Sequence, residues 1–179
     1  LKLMGNRSEI RDQYEDKRRF RIIGKEVSLP MIEGETLRVA DLKPKMGVVL
    51  QLTDYSRGGG VGTFFIKLKE DWHKFEEFVA RRGKRRKLEW VNVTKFVEGT
   101  AASMSGCVTK YGVVTGIVQG QITDQPELAA LTGRSGVWLG HDWSGQRFSD
   151  RVQERAEKIA VRLGEHMAKK GYKGIFGID

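Results

Sequence analysis

The stretch Val48-Val49-Leu50-Gln51-Leu52-Thr53-Asp54-Tyr55-Ser56-Arg57-Gly58-Gly59-Gly60-Val61-Gly62-Thr63-Phe64-Phe65-Ile66-Lys67-Leu68 decides the fold. Two short apolar runs, 48–52 and 63–68, flank a glycine-rich loop at 56–63. Each run has the length and composition of a buried strand, so the order is strand, loop, strand. A Walker loop or a dinucleotide fingerprint runs strand, loop, helix, and a Walker loop also needs Gly-Lys-Ser/Thr. A kinase-type loop would need glycine where Thr63 stands. Glycines let the backbone approach phosphate closely and aim its N–H groups at it, although a hairpin turn uses glycines too. Arg57 adds a fixed cation suited to phosphate oxygens, and Thr63 adds a hydroxyl. The loop is therefore a candidate phosphate cover.

Outward from the loop, residues 8–27 carry Ile10, Tyr14, Phe20 and Ile23 at helical spacing, with Ser8 as a cap and Leu29-Pro30 as the stop. Residues 31–46 read as turn-rich. Glu70–Arg82 is an amphipathic helix with Trp72, Phe75, Phe78 and Val79 on one face. Strands are expected at 88–97, 102–108 and 113–122, the last two joined by the turn Lys110-Tyr111-Gly112. Residues 123–145 look irregular. A long helix over 146–170 has Phe148, Val152, Ile159, Leu163 and Met167 as its buried stripe, and Gly171 stops it. The apolar run 172–179 then reads as a strand without a following partner, which leaves a bare edge. A fragment of a longer protein is expected.

The 179 residues are enough for one domain or two small lobes. A net charge of +9 calls for a polyanionic partner. The densest positive segment, Arg81 to Lys87, reads as a helix end running into an exposed turn, where basic residues complement the helix dipole. Contact with nucleic acid is the other reading of that cluster. The single cysteine, Cys107, excludes an internal disulfide and a multi-cysteine zinc site. No apolar run approaches the length of a membrane helix, and the first residues do not form a signal peptide. A cytoplasmic setting is expected by default. His73, His141 and His166 are scattered and make no ligand set. His141-Asp142 either lines a substrate site or belongs to a loop packed down by Trp138 and Trp143. Ser103 and Ser105 alternate on a strand without a base nearby in sequence.

The whole order resembles the ATP-grasp superfamily. In that family a helix bearing Asp-Lys precedes a lobe built as strand, glycine loop, strand, helix, strand. An adenine-binding hinge and a second lobe follow. Asp16-Lys17, the loop at 56–63, the hinge-like Thr94-Lys95-Phe96-Val97-Glu98-Gly99 and the ending Gly171-Tyr-Lys-Gly-Ile-Phe-Gly-Ile-Asp179 match that order. The resemblance implies an α+β fold of two lobes with antiparallel sheets clasping ATP. It divides the chain into a lead-in helix (1–30), a small lobe with the loop (31–98) and a second lobe (99–179), truncated at its C-terminal end. It also implies an ATP-dependent ligase in full-length form, which phosphorylates a small carboxylate for attack by an amine or similar nucleophile. By the same resemblance, Lys17 reaches phosphate oxygens. The cover over the phosphates is Arg57, Gly58, Gly59, Gly60, Gly62 and Thr63. Lys95, Phe96, Val97 and Glu98 frame adenine and ribose, and Asp179 opens the magnesium-binding region.

The sequence departs from the family pattern in three places. Gln51 stands where a second phosphate-contacting lysine is usual, and Ala101 where a ribose-binding glutamate is often found. The sequence also stops before the usual Glu-x-Asn strand. As it stands, the chain is expected to bind ATP weakly and to catalyse nothing. Two alternatives stay open: a non-catalytic nucleotide-binding or interaction module, and a nucleic-acid binder built on residues 81–87.

Overall fold

A computed structural model describes residues 5–53, 60, 62–83, 87–123, 125–127, 138–144 and 148–179. The described strands form two four-stranded antiparallel sheets, each with a helix on one face. The first sheet contains β1 (Gly34–Arg38), β2 (Val48–Leu52), β3 (Thr63–Ile66) and β4 (Trp90–Lys95), in the order β1-β4-β2-β3. Its strands alternate, so Val48, Leu50, Leu52, Val91 and Val93 fall on one face. That face closes against Trp72, Phe75 and Phe78 of helix α3 (Lys69–Gly83). Each such side chain contributes about 1.5–3 kcal/mol on full burial. The other face carries the polar residues Thr36, Gln51, Asn92 and Thr94, interspersed with Val49, Phe65 and Trp90.

Strand β1 and a 3-10 turn at Val39–Asp41 lie in the segment expected to be turn-rich. The edge strand Gly-Glu-Thr-Leu-Arg has Leu37 as its one apolar residue, so its place is set by the ladder with β4. Gly34 is required there, because a Cβ would stand 2.2 Å from the carbonyl oxygen of Val93.

The expected single helix over 8–27 is two helices, α1 (Ser8–Glu15) and α2 (Lys17–Glu26). Asp16 breaks the run in an extended conformation, and its carboxylate accepts from the N–H groups of Arg18 and Arg19. It is therefore the N-cap of α2. Ser8 does not act as the expected cap: the N-cap position is Arg7, without a side-chain bond.

The second sheet contains β5 (Ala102–Thr109), β6 (Gly112–Thr123), β7 (Trp138–Asp142) and β8 (Gly174–Ile178), in the order β7-β6-β5-β8. Strand β7 replaces part of the irregular stretch expected over 123–145. Helix α4 (Asp150–Lys169) covers one face with Ala160, Leu163 and Met167. These pack on Met104, Val108, Val118 and Phe176, joined by Ile23 from α2. Of the expected stripe, Leu163 and Met167 are buried and Phe148 packs against the core, while Val152 stays 42% exposed; Ala156, Ala160 and Gly164 complete the buried side. Gly171 ends the region with φ of 85°, a conformation that suits glycine.

Between Met104 and Gly106 the β5–β6 register shifts: Gly106 pairs Thr115, but Met104 pairs Val118. The bulge leaves ladder groups of β6 without strand partners. The side-chain amide of Gln153 on α4 takes both sides of the gap. It accepts from the Val118 N–H at 2.8 Å and donates to the Gly116 carbonyl at 3.3 Å.

Candidate nucleotide site

The start of α2 is bonded to the first sheet through Asn92 and lies within electrostatic reach of Asp179 at the end of the second. On the first sheet Asn92 is buried, at 2% exposure. Its Oδ1 accepts from Thr36 Oγ1 at 2.6 Å, and its Nδ2 donates to the Lys17 carbonyl at 3.3 Å. Lys17, half-buried at the first position of α2, has its pKa lowered by burial, against the opposing pull of Asp179 and then Glu15. A lysine deprived of water in this way gains from an anionic ligand.

On the second sheet, Ser103, Gln121, His141 and Asp179 form one hydrogen-bonded cluster. Strand pairing aligns them, with Gln121 opposite His141 and Met104 opposite Ile178. Asp179 Oδ1 accepts from Ser103 Oγ at 3.0 Å and from Gln121 Nε2 at 2.6 Å. Gln121 Nε2 also donates to Ser103 Oγ at 2.7 Å, and His141 Nε2 lies 3.0 Å from the same oxygen. The one hydroxyl proton of Ser103 goes to Asp179, so Nε2 of His141 is the protonated ring nitrogen. The result is a carboxylate with Oδ1 held by two donors.

His141 thus belongs to the polar cluster rather than to a packed-down loop. Its ring meets Trp138 edge-on at 5.3 Å, while Trp138 and Trp143 are 41% and 65% exposed. The role of Ser103 and Gln121 was not evident from their sequence positions. Their signal is the polar alternation Ser103, Ser105 on β5 and Gln119, Gln121 on β6.

Gln51 lies on the polar face, paired with Asn92 on one side and Thr63 on the other. Gly60 has φ of 72°, and its carbonyl accepts from Thr63 N–H at 3.0 Å. Gly62 is buried, and its carbonyl accepts from Leu52 N–H at 2.9 Å. Arg57, Gly58 and Gly59 lie outside the described residues. In the hinge, the N–H of Lys95 is bonded to Glu33 and that of Phe96 to Gly47. The Phe96 ring meets Phe65 edge-on at 5.9 Å, and Lys67 Nζ sits 4.5 Å from its centre. Val97 is 59% exposed, and Glu98 is exposed beside it.

Among the described residues no group of three or more His, Cys, Asp or Glu could hold a metal ion. Magnesium bridged by phosphates takes one or two protein carboxylates. Asp179 is a carboxylate of that type, and the described residues do not complete a site. No helix among the described residues is long and apolar enough to cross a membrane.

No family model matches the chain, and no curated protein sequence does. Solved structures do match. Phosphoribosylamine–glycine ligase from Thermotoga maritima aligns with a TM-score of 0.68 at 14% identity, over 97% of this chain and 45% of that one. Carboxyaminoimidazole ribonucleotide synthase from Aspergillus clavatus, complexed with ATP, gives 0.67 at 10% identity, over 97% and 42%. D-alanyl-alanine synthetase A from Vibrio cholerae gives 0.66 at 12% identity, over 98% and 53%. The chain spans about half the length of these structures or less.

Proposed function

With the ATP-grasp fold as the premise, we propose that this chain is the ATP-binding portion of a ligase, taking the nucleotide between the polar faces of its two sheets. The observation that carries the reading is Lys17. Its backbone is tied to the first sheet by Asn92, and its side chain feels the charge of Asp179 at the end of the second. Lys17 then binds phosphate oxygens, and the loop of Arg57, Gly58, Gly59, Gly60, Gly62 and Thr63 covers them, with Gln51 at its base. The Phe96 ring flanks the adenine. Because the N–H groups of Lys95 and Phe96 are bonded internally, the N–H groups of Val97 and Glu98 are the hinge donors assigned to the nucleotide. Lead-in helices (1–30), small lobe (31–98) and second lobe (99–179) are the working parts.

In the complete protein a carboxylate oxygen attacks the γ-phosphorus, and the bond to the β,γ-bridging oxygen breaks, releasing ADP. An amine then attacks the acylphosphate carbon, loses a proton, and phosphate leaves. The protein's contribution is positioning and charge neutralisation. Magnesium would supply charge neutralisation at the phosphates, with Asp179 as one ligand. A second reading, a nucleotide-binding module without turnover, draws on Gln51 and Ala101. Calorimetry of a longer protein containing this chain, with magnesium and ATP, tests both. Binding lost in Lys17→Met supports the site, and ADP release with a panel of carboxylates separates ligase from module. No nucleotide binding by the longer protein would sink both.

A further inference from the structure

The basic run that starts at Arg81 ends beside an arginine pair which the sequence order conceals. Residues 84–86 lie outside the described residues, and Lys87 closes the run. Trp90 then opens β4 directly opposite Arg38, the last residue of β1. Both therefore stand on the face of the first sheet away from α3. Arg18, the second residue of α2, reaches the same indole. The guanidinium carbons of Arg18 and Arg38 lie 5.1 Å and 5.4 Å from the centre of the Trp90 ring, within cation–π range.

The charges gathered there do not balance. Glu89, next to Trp90, has its pKa lowered first by the hydrogen bond from Lys87, and further by the charges of Lys87, Arg38 and Arg18. Its carboxylate is paired with Lys87. Neither guanidinium makes a hydrogen bond or an ion pair with another described residue, although each carries five N–H donors. Two like charges held at one ring repel each other, and an anion laid between them removes that cost. Guanidinium forks match phosphate oxygens in pairs.

We propose that the Arg18–Trp90–Arg38 cluster is a binding surface for single-stranded nucleic acid, with phosphates on the two guanidinium groups and a base against the planar groups they form with the indole. The net charge of +9 favours a polyanion of any kind. The planar groups select among polyanions: an unpaired base stacks on indole or guanidinium, whereas an acidic side chain offers no such face and a duplex keeps its bases stacked inside. The cluster uses neither Lys17 nor the glycine loop, so it stands apart from the function proposed above.

The test is fluorescence anisotropy of a labelled oligothymidylate of about 12 residues with the longer protein containing this chain, at about 50 and 200 mM salt. Each phosphate contact on a single strand contributes about 0.7 to the log–log salt slope, so Arg18→Gln/Arg38→Gln should make that slope shallower by about 1.4 and weaken binding more than about tenfold at the lower salt. Arg18→Lys/Arg38→Lys keeps the charge and loses the plane, and it should restore the slope without the full affinity. Thermal melts establish that both variants are folded. Absence of binding at the lower salt, or equal binding by folded Arg18→Gln/Arg38→Gln, overturns the surface. Full affinity in the lysine pair, or displacement by poly-L-glutamate at matched charge as effective as by unlabelled oligothymidylate, overturns the nucleic-acid class. Displacement by magnesium-ATP together with complete loss in Lys17→Met would put the strand on the nucleotide face and overturn the proposal as well.

Discussion

Asn92 reaches from the centre of the first sheet to the backbone carbonyl of Lys17, and the same side chain receives the hydroxyl of Thr36 on the neighbouring strand. One buried amide therefore joins β1, β4 and the start of α2. Asn92→Leu should destabilise the protein by about 1–3 kcal/mol, since the Thr36 hydroxyl loses its acceptor and the Lys17 carbonyl its donor. Chemical denaturation checks this. Nucleotide affinity, measured under conditions where the variant is folded, should fall as well.

Lys17→Met should separate stability from binding. The folded pKa of Lys17 is lowered, mainly by burial. Unfolded chains therefore bind more protons in the window between that value and the ordinary 10.5, and stability rises with pH there. The variant should lack this rise and be at least as stable as the parent at pH 7. Thermal melts from neutral to alkaline pH, compared pairwise, read it out. A variant less stable at pH 7, with an unchanged alkaline slope, would contradict the cause assigned here.

Tyr14 shows the opposite sign. Its pKa is raised, first by burial and then by Tyr172. Stability from this group is present below pH 10 and is lost as pH climbs through the folded value. Its hydroxyl is also buried without a partner among the described residues, and its ring meets those of His166 and Tyr172 edge-on. Tyr14→Phe should therefore be neutral or stabilising by up to about 1 kcal/mol near neutral pH. Above pH 10 its advantage over the parent should grow.

Gly164→Ala pits propensity against space. Alanine in a helix interior gains about 1 kcal/mol over glycine. Here the new Cβ would stand 2.7 Å and 2.8 Å from the two γ-methyls of Val113 and 3.1 Å from the Phe176 ring. Val113 is stiff at χ1, and overpacking of this kind costs about 1–3 kcal/mol. A net loss of stability is expected. Pairing the change with Val113→Ala should recover much of it.

Gln153→Leu removes the amide that serves the β6 bulge. Two backbone groups lose partners, and a loss of about 1–3 kcal/mol is expected. Hydrogen exchange at the Val118 amide should rise well above that of its strand neighbours. Unchanged protection at Val118 would show that the bond is dispensable.

What the sequence made legible follows from local pattern. Strands β2 and β3 and helix α3 were recoverable because their apolar residues sit at the right period within one short window. Strand β1 was not, because an edge strand with one apolar residue carries no periodic signal. The break at Asp16 was hidden by helical spacing on both sides of it. The glycine loop and Lys17 could be nominated from residue chemistry. The cluster around Asp179 could not, because Ser103 and Asp179 are 76 residues apart and meet only through the ladder.

The bulge in β6 also has a consequence for how this chain tolerates change. Before it, Val113 faces α4 and Val114 is 59% exposed; after it, Val118 is buried toward α4, and Gln119 and Gln121 turn to the other face. Odd and even positions exchange roles within one strand. Deleting a single residue at Gly116 or Ile117 would therefore take out the extra residue, so that unbroken alternation from Val113 still puts Val118 toward α4 and Gln119 and Gln121 on the other face. A one-residue deletion at the bulge should therefore keep both faces intact, whereas one placed between Val118 and Gln121 should turn Gln121 toward the α4 side.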